Sequence, residues 1–135
     1  MANEIVVLLV EDNPADVFLV REAMRVHGLN VTLKIIRDGE EAIRFIEAAE
    51  QNPDTCLELA LLDLNLPRKN GLEVAACLRR SAIFARIPIA IFSSSRSPRN
   101  TLTLKELDID HFFNKPSDFD EFMVLGGIVK SLLRR

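Results

Sequence analysis

The chain is predicted to fold as an α/β domain, one five-stranded parallel sheet wound with helices on both faces. Three observations predict it. Short apolar runs alternate with amphipathic segments from end to end. Most of those runs are apolar at successive positions, as strands covered on both faces require. The segments between them carry helix start signals and apolar stripes at helical spacing. Strict alternation of this kind argues for a single parallel sheet. The 135 residues suit one domain, which can bury a core without disulfides.

The expected strands are Ile5 to Val10, Val31 to Ile36, Leu57 to Leu64, Ile87 to Phe92 and His111 to Phe113. The second is a weaker, alternating run and the fifth is short. Asn13 is the expected cap of the first helix, with Pro14 at its first position. Val17, Val20 and Met24 form its stripe and Gly28 ends it. Asp38 and Glu41 make a capping-box-like pair ahead of Ala42, Ile46 and Ala49. Gly71 opens the third helix, which carries Ala75 and Leu78. Ser97 and Pro98 read as cap and first turn of the fourth, before Leu104 and Leu107. Ser117 and Asp120 repeat the capping pattern ahead of Phe122, Val129 and Leu133.

The composition narrows the function. The formal net charge is −3, against the basic excess of a dedicated nucleic-acid binder. No apolar run approaches the roughly 18 residues needed to span a bilayer, and no secretory pattern follows Glu4. The expected setting is cytoplasmic. Cys56 and Cys77 lack a CxxC spacing or a histidine pair and read as buried free thiols. His27 and His111 have no partners at metal-ligand spacing and read as ordinary residues.

In open parallel sheets, ligands bind beyond the carboxyl ends of the strands. The first strand ends in Glu11-Asp12, the third in Asp63-Leu64-Asn65, the fourth in Ser93-Ser94-Ser95 and the fifth in Asn114-Lys115-Pro116. One sheet edge would thus hold three carboxylates, a hydroxyl and an ammonium. Carboxylates brought together repel, and burial sharpens the repulsion. A hard divalent cation relieves it: Mg²⁺ (or Mn²⁺) takes one or two carboxylates and leaves positions for phosphate oxygens. Asp12 and Asp63 are the expected direct ligands, Asn65 contributes its backbone carbonyl and Glu11 acts through water. Phosphoryl transfer needs positioning and charge neutralisation. Asp63 suits the nucleophile, while Lys115 and Ser93 suit the phosphoryl oxygens. A cis Lys115–Pro116 bond would aim the lysine inward.

The stretches LLVEDNPAD (8–16), LLDLNLPRKNG (61–71), IFSSS (91–95) and NKP (114–116) together resemble the CheY-like response regulator receiver domain along the whole chain. The pairing of EDNPAD with DLNLPRKNG is most similar to stand-alone regulators associated with phytochrome-type sensor kinases. The resemblance implies a flavodoxin-like (βα)5 sheet in the order 2-1-3-4-5, and one receiver domain over 1–135 with no effector domain. Asp63 then matches the phosphoacceptor, Glu11 and Asp12 the acidic pair, Ser93 the switch hydroxyl, Lys115 the phosphate-binding lysine and Phe112 the switch aromatic. The family's usual aromatic there is tyrosine or phenylalanine, so Phe112 keeps the ring without a hydroxyl. The subgroup usually places threonines where Ser93 and Ser94 stand, and serine retains the hydroxyl. The implied partners are a sensor histidine kinase, a downstream protein or phosphotransfer partner, and a second copy through the face between the fourth and fifth helices.

Milder readings stand beside these. Glu11-Asp12 would also serve as acidic helix-start residues. Ser94 and Ser95 read first as polar loop, and Arg68-Lys69-Asn70-Gly71 as a solvated turn. Three rival functions remain. A phosphohydrolase using an aspartyl-phosphate lacks its general acid, because Asn65 stands two residues after Asp63. A receiver-like interaction module that is never phosphorylated would not need every matching residue. A flavin-binding relative of the fold would not place Glu11-Asp12 where phosphate sits. The absence of GxxxxGK excludes a P-loop nucleotidase.

Overall fold

The computed structural model describes residues 4–52, 54–94 and 101–134. Five parallel strands form one sheet in the order β2-β1-β3-β4-β5: β1 (Ile5–Val10), β2 (Val31–Ile36), β3 (Leu59–Asp63), β4 (Ile89–Ser93) and β5 (His111–Asn114). Helices α1 (Pro14–Val26), α2 (Gly39–Ala49), α3 (Gly71–Arg80), α4 (Thr101–Glu106), α5 (Phe119–Phe122) and α6 (Val124–Leu133) connect and follow them. The architecture and the strand order are those expected.

Two cores lie on opposite faces of the sheet, as alternate residues of each strand dictate. Leu8, Val10, Leu62 and Ile91 point toward Ala42 and Ile46 of α2 and Val74 and Leu78 of α3. Val7, Leu9, Leu61 and Phe92 point toward Val20 and Ala23 of α1 and Leu125 and Val129 of α6. Every residue of β3 and β4 is buried, which explains their unbroken apolar runs. β2 is an edge strand, and its partly exposed residues explain its weaker pattern.

The ends of the elements differ from expectation where backbone donors decide. β3 starts at Leu59 rather than Leu57, although the Glu58 amide still donates to Val6 at 2.8 Å. β4 starts after Pro88, which has no N–H to pair. Asp118, not Ser117, caps the last helical segment by accepting from the Asp120 amide at 3.1 Å. That segment is broken into α5 and α6 at Met123, whose carbonyl lies 2.9 Å from His27 Nε2. The reciprocal capping box forms at Asn70 and Glu73, in the turn read as merely solvated. At Asp38 the cap forms through one bond, from the Glu41 amide at 2.7 Å.

Cys77 is buried but Cys56 is exposed, because it precedes β3 in the turn leading into the strand. Among the described residues no peptide bond is cis, so Lys115–Pro116 is trans. Lys115 faces inward because it directly follows β5, where its amide donates to the Ser93 carbonyl at 2.8 Å. The expected cap at Ser97 and Pro98, like Ser95, lies outside the described residues.

Candidate functional site

The carboxyl ends of β1, β3, β4 and β5 meet at one edge, as the sequence predicts. Glu11 is 1% exposed, Asp63 4% and Ser93 0%. Such groups reach this depth only when their polar atoms are partnered. Glu11 Oε1 accepts the Asn13 amide at 3.1 Å, and Asp63 Oδ1 accepts the Asn65 amide at 3.0 Å. Asn65 Nδ2 donates to Ser93 Oγ at 3.1 Å. Asp12 and Asn65 are exposed at the rim.

The Lys115 ammonium is the centre of the charge arrangement. It donates to Glu11 Oε2 at 2.9 Å, to Asp16 Oδ2 at 2.8 Å and to Asp63 Oδ2 at 3.3 Å. The Phe92 ring lies beneath it, 4.7 Å from Nζ to the ring centroid. Burial opposes the charge on Lys115, yet its bonds to Asp16 and Glu11 and the nearby negative charges outweigh burial and raise its pKa. Burial pushes the Glu11 carboxyl up to about 7, with the Asp63 charge adding to it and Lys115 opposing it. Burial, more than the neighbouring charge, is what disfavours the Glu11 carboxylate here.

Oxygen atoms of Glu11, Asp12 and Asp63 lie within 4.8 Å of one another. An all-oxygen, all-carboxylate donor set on a partly open rim fits a hard divalent cation, which keeps waters on its open side. The three acids are the ones the sequence singled out.

The response regulator receiver domain model matches residues 7–125. The chain belongs to the response regulator receiver family. It is therefore a signalling domain of two-component systems. Response regulator Rcp1 of Synechocystis sp. is 34% identical over 125 residues, covering 91% of this chain and 85% of that protein. The crystal structure of the phosphorylated cyanobacterial phytochrome response regulator RcpA superposes with a TM-score of 0.83 at 29% identity, covering 97% of this chain and 95% of RcpA. The Mn²⁺-bound form of Rcp1 superposes with a TM-score of 0.78 at 31% identity, covering 93% and 91% of the two chains. The resemblance to phytochrome-associated regulators expected from the motifs is thus borne out.

In this receiver the β3–α3 turn is pressed tightly onto its neighbours. A Cβ at Gly71 would overlap the Asp63 carbonyl, so only glycine lets α3 begin so close to that strand end. Arg68 takes a left-handed φ of 69°. The Pro67 carbonyl accepts the Gly39 amide at 3.3 Å, tying the turn to the start of α2. Phe112 is half-buried and packs against the α2–α3 core, whereas Phe113 is buried and meets the Phe122 ring edge-on at 5.9 Å. Ser94 is exposed, in line with its reading as loop.

Sequence reasoning missed Asp16. It stands in the first turn of α1, where an acidic residue is favourable for the helix alone, and this hides any other use. Asp12 precedes the Asn13 cap and is outside the helix, so no helical spacing ties Asp16 to the acidic pair and no local signal marks its use.

Proposed function

We propose that this receiver accepts a phosphoryl group on Asp63 from the phosphohistidine of a sensor histidine kinase. The observation that carries the reading is the Asp63 carboxylate at the sheet edge, with Lys115 Nζ 3.3 Å from Oδ2 and Glu11 and Asp12 beside it. An oxygen of Asp63 forms a bond to phosphorus as the P–N bond breaks, and the imidazole leaves with the electron pair. Lys115 supplies a positive charge for a phosphoryl oxygen, and Ser93 Oγ a hydrogen bond for another. Asp12 and Asp63 would hold Mg²⁺ or Mn²⁺ directly, Asn65 through its backbone carbonyl and Glu11 through water. When bound, the cation neutralises the crowded carboxylates and the phosphoryl oxygens. The relatives that support this are described as Mn²⁺-bound (Rcp1) and phosphorylated (RcpA).

The modification acts as a switch. Ser93 turns from Asn65 toward the new phosphate, and Phe112 on the adjacent strand fills the space released. The changed surface binds a downstream protein or phosphotransfer partner. Similarity to RcpA favours a phytochrome-type kinase as the input.

The test is incubation with acetyl phosphate, with and without Mg²⁺, read by intact mass, comparing wild type with Asp63→Asn. A Mg²⁺-dependent phosphoryl adduct that the variant lacks is the expected result. Wild type that forms no adduct under either condition would overturn the reading in favour of a non-phosphorylated interaction module.

A further inference from the structure

The Lys115 ammonium has three N–H donors and three carboxylate partners, contributed by Glu11, Asp16 and Asp63. Two of these partners have a second claim on them. Glu11 and Asp63 belong to the carboxylate group suited to a divalent cation, together with Asp12. A cation seated there draws their oxygens and repels the ammonium. Asp16 lies outside that group yet makes the shortest of the three contacts, at 2.8 Å.

Lysine is a flexible cation that is strongly hydrated, and holding it in one place costs side-chain entropy. With Glu11 and Asp63 engaged elsewhere, the remaining attraction must come from a group that does not compete. Asp16 meets that condition. Its backbone is fixed in the first turn of α1, which Asn13 caps through the Ala15 amide at 2.9 Å and Pro14 pre-sets. Its side chain is 20% exposed, so it is desolvated less than Glu11.

We infer that Asp16 is a positioning residue that keeps the Lys115 ammonium beside Asp63 while a divalent cation occupies the other carboxylates. The inference rests on the phosphoacceptor reading above and extends it to a residue of α1. Asp16 touches neither the cation nor the reacting atoms and acts through Lys115.

The experiment observes the Lys115 ammonium directly, by proton–nitrogen correlation NMR of the ¹⁵N-labelled chain at mildly acidic pH, with EDTA and then with Mg²⁺. Wild type is expected to show a solvent-protected ammonium resonance in both states. In Asp16→Ala, and in the isosteric Asp16→Asn, that resonance should be lost on adding Mg²⁺, and Asp16→Glu should restore it. The rate of modification by acetyl phosphate should fall about tenfold in Asp16→Ala and recover in part in Asp16→Glu. Asp16→Ala that keeps the protected resonance with Mg²⁺ overturns the proposal and reduces Asp16 to a favourable helix-start acid. Wild type that loses the resonance with Mg²⁺ overturns it equally. If wild type takes up no phosphoryl group, the phosphoacceptor reading fails while the resonance still decides the role of Asp16. If Mg²⁺ shifts no wild-type signal, the cation reading and this proposal fall together.

Discussion

Asn65 Nδ2 donates to Ser93 Oγ across 3.1 Å, joining the end of β3 to the end of β4. Asp63 and Ser93 are thereby linked through the same residue, since the Asn65 amide also bonds Asp63 Oδ1. In the proposed switch, Ser93 moves from Asn65 toward a phosphate on Asp63. Ser93→Ala is expected to be destabilised by at least about 1 kcal/mol, the usual net worth of the Asn65 bond by itself. It should still take a phosphoryl group on Asp63, but its Phe112 amide should stay at the unphosphorylated chemical shift. Urea denaturation and NMR of the acetyl-phosphate-treated protein check the two halves separately.

Stability without metal should fall as pH rises between about 4.5 and 7. The Glu11 carboxyl is raised from 4.5 to about 7 in the folded protein, chiefly by burial. Across that window the folded chain keeps a proton that the unfolded chain has released, so stability declines with pH. The effect is roughly 3.5 kcal/mol at most, taking roughly 1.4 kcal/mol for each pH unit. Lys115 is raised from an already high value, so it stays charged across this window and its contribution is lost only in strong alkali. Urea melts at several pH values should show the decline in wild type and a flatter profile in Glu11→Gln. A Glu11→Gln profile as steep as wild type would assign the slope elsewhere.

Asp12 is exposed, whereas Glu11 and Asp63 are buried. Asp12→Ala should therefore change metal-free stability by no more than about 0.5 kcal/mol, as surface substitutions do. It should nevertheless abolish the rise in Tm that Mg²⁺ causes in wild type, because the cation stabilises only the assembled site. Thermal melts with EDTA and with Mg²⁺ test this. An undiminished rise in the variant would remove Asp12 from the metal site.

Gly71→Ala should be costly for a different reason from most glycine substitutions. The added methyl would collide with the Asp63 backbone, and neither α3 nor β3 can retreat without opening the core beneath. A loss of about 1–3 kcal/mol is expected from such overpacking, with slower modification of Asp63. Gly28→Ala offers the control. Nothing lies within 4 Å of a Cβ there, and only its φ of 67° opposes the change, at about 1 kcal/mol.

Arg79 predicts a large effect far from the acidic sheet edge. Its guanidinium donates to the carbonyls of Ala85, Ile87, Leu107 and Asp108, at 2.6 to 3.0 Å, and pairs with Asp110. It ties the end of α3 to the segments that precede β4 and β5. Arg79→Ala should lose about 3–5 kcal/mol by leaving these groups without a partner. Arg79→Lys should not rescue it, because one ammonium cannot span that fork of acceptors. Urea denaturation of both variants would decide.

The amino-acid sequence by itself determined the order and class of the elements and where the chemistry would gather. Strands buried on both faces must be apolar at consecutive positions, and Ile5–Val10, Leu59–Asp63 and Ile89–Ser93 announce themselves for that reason. Asn13-Pro14 marks a helix start because its geometry is local. Once a parallel sheet is inferred, the residues directly after each strand must share an edge, so Glu11, Asp12, Asp63, Ser93 and Lys115 were legible as a group. Tertiary structure alone decided the pairings inside that group and around it. Asp16 reaches Lys115 across 99 positions of chain, and His27 reaches the Met123 carbonyl across 96. The exposure of Cys56, the five acceptors of Arg79 and the contact of Gly71 with Asp63 likewise have no local signature. Each depends on which atoms remain unsatisfied, and on how much room remains, after separate segments have packed. Those quantities exist only in the folded chain.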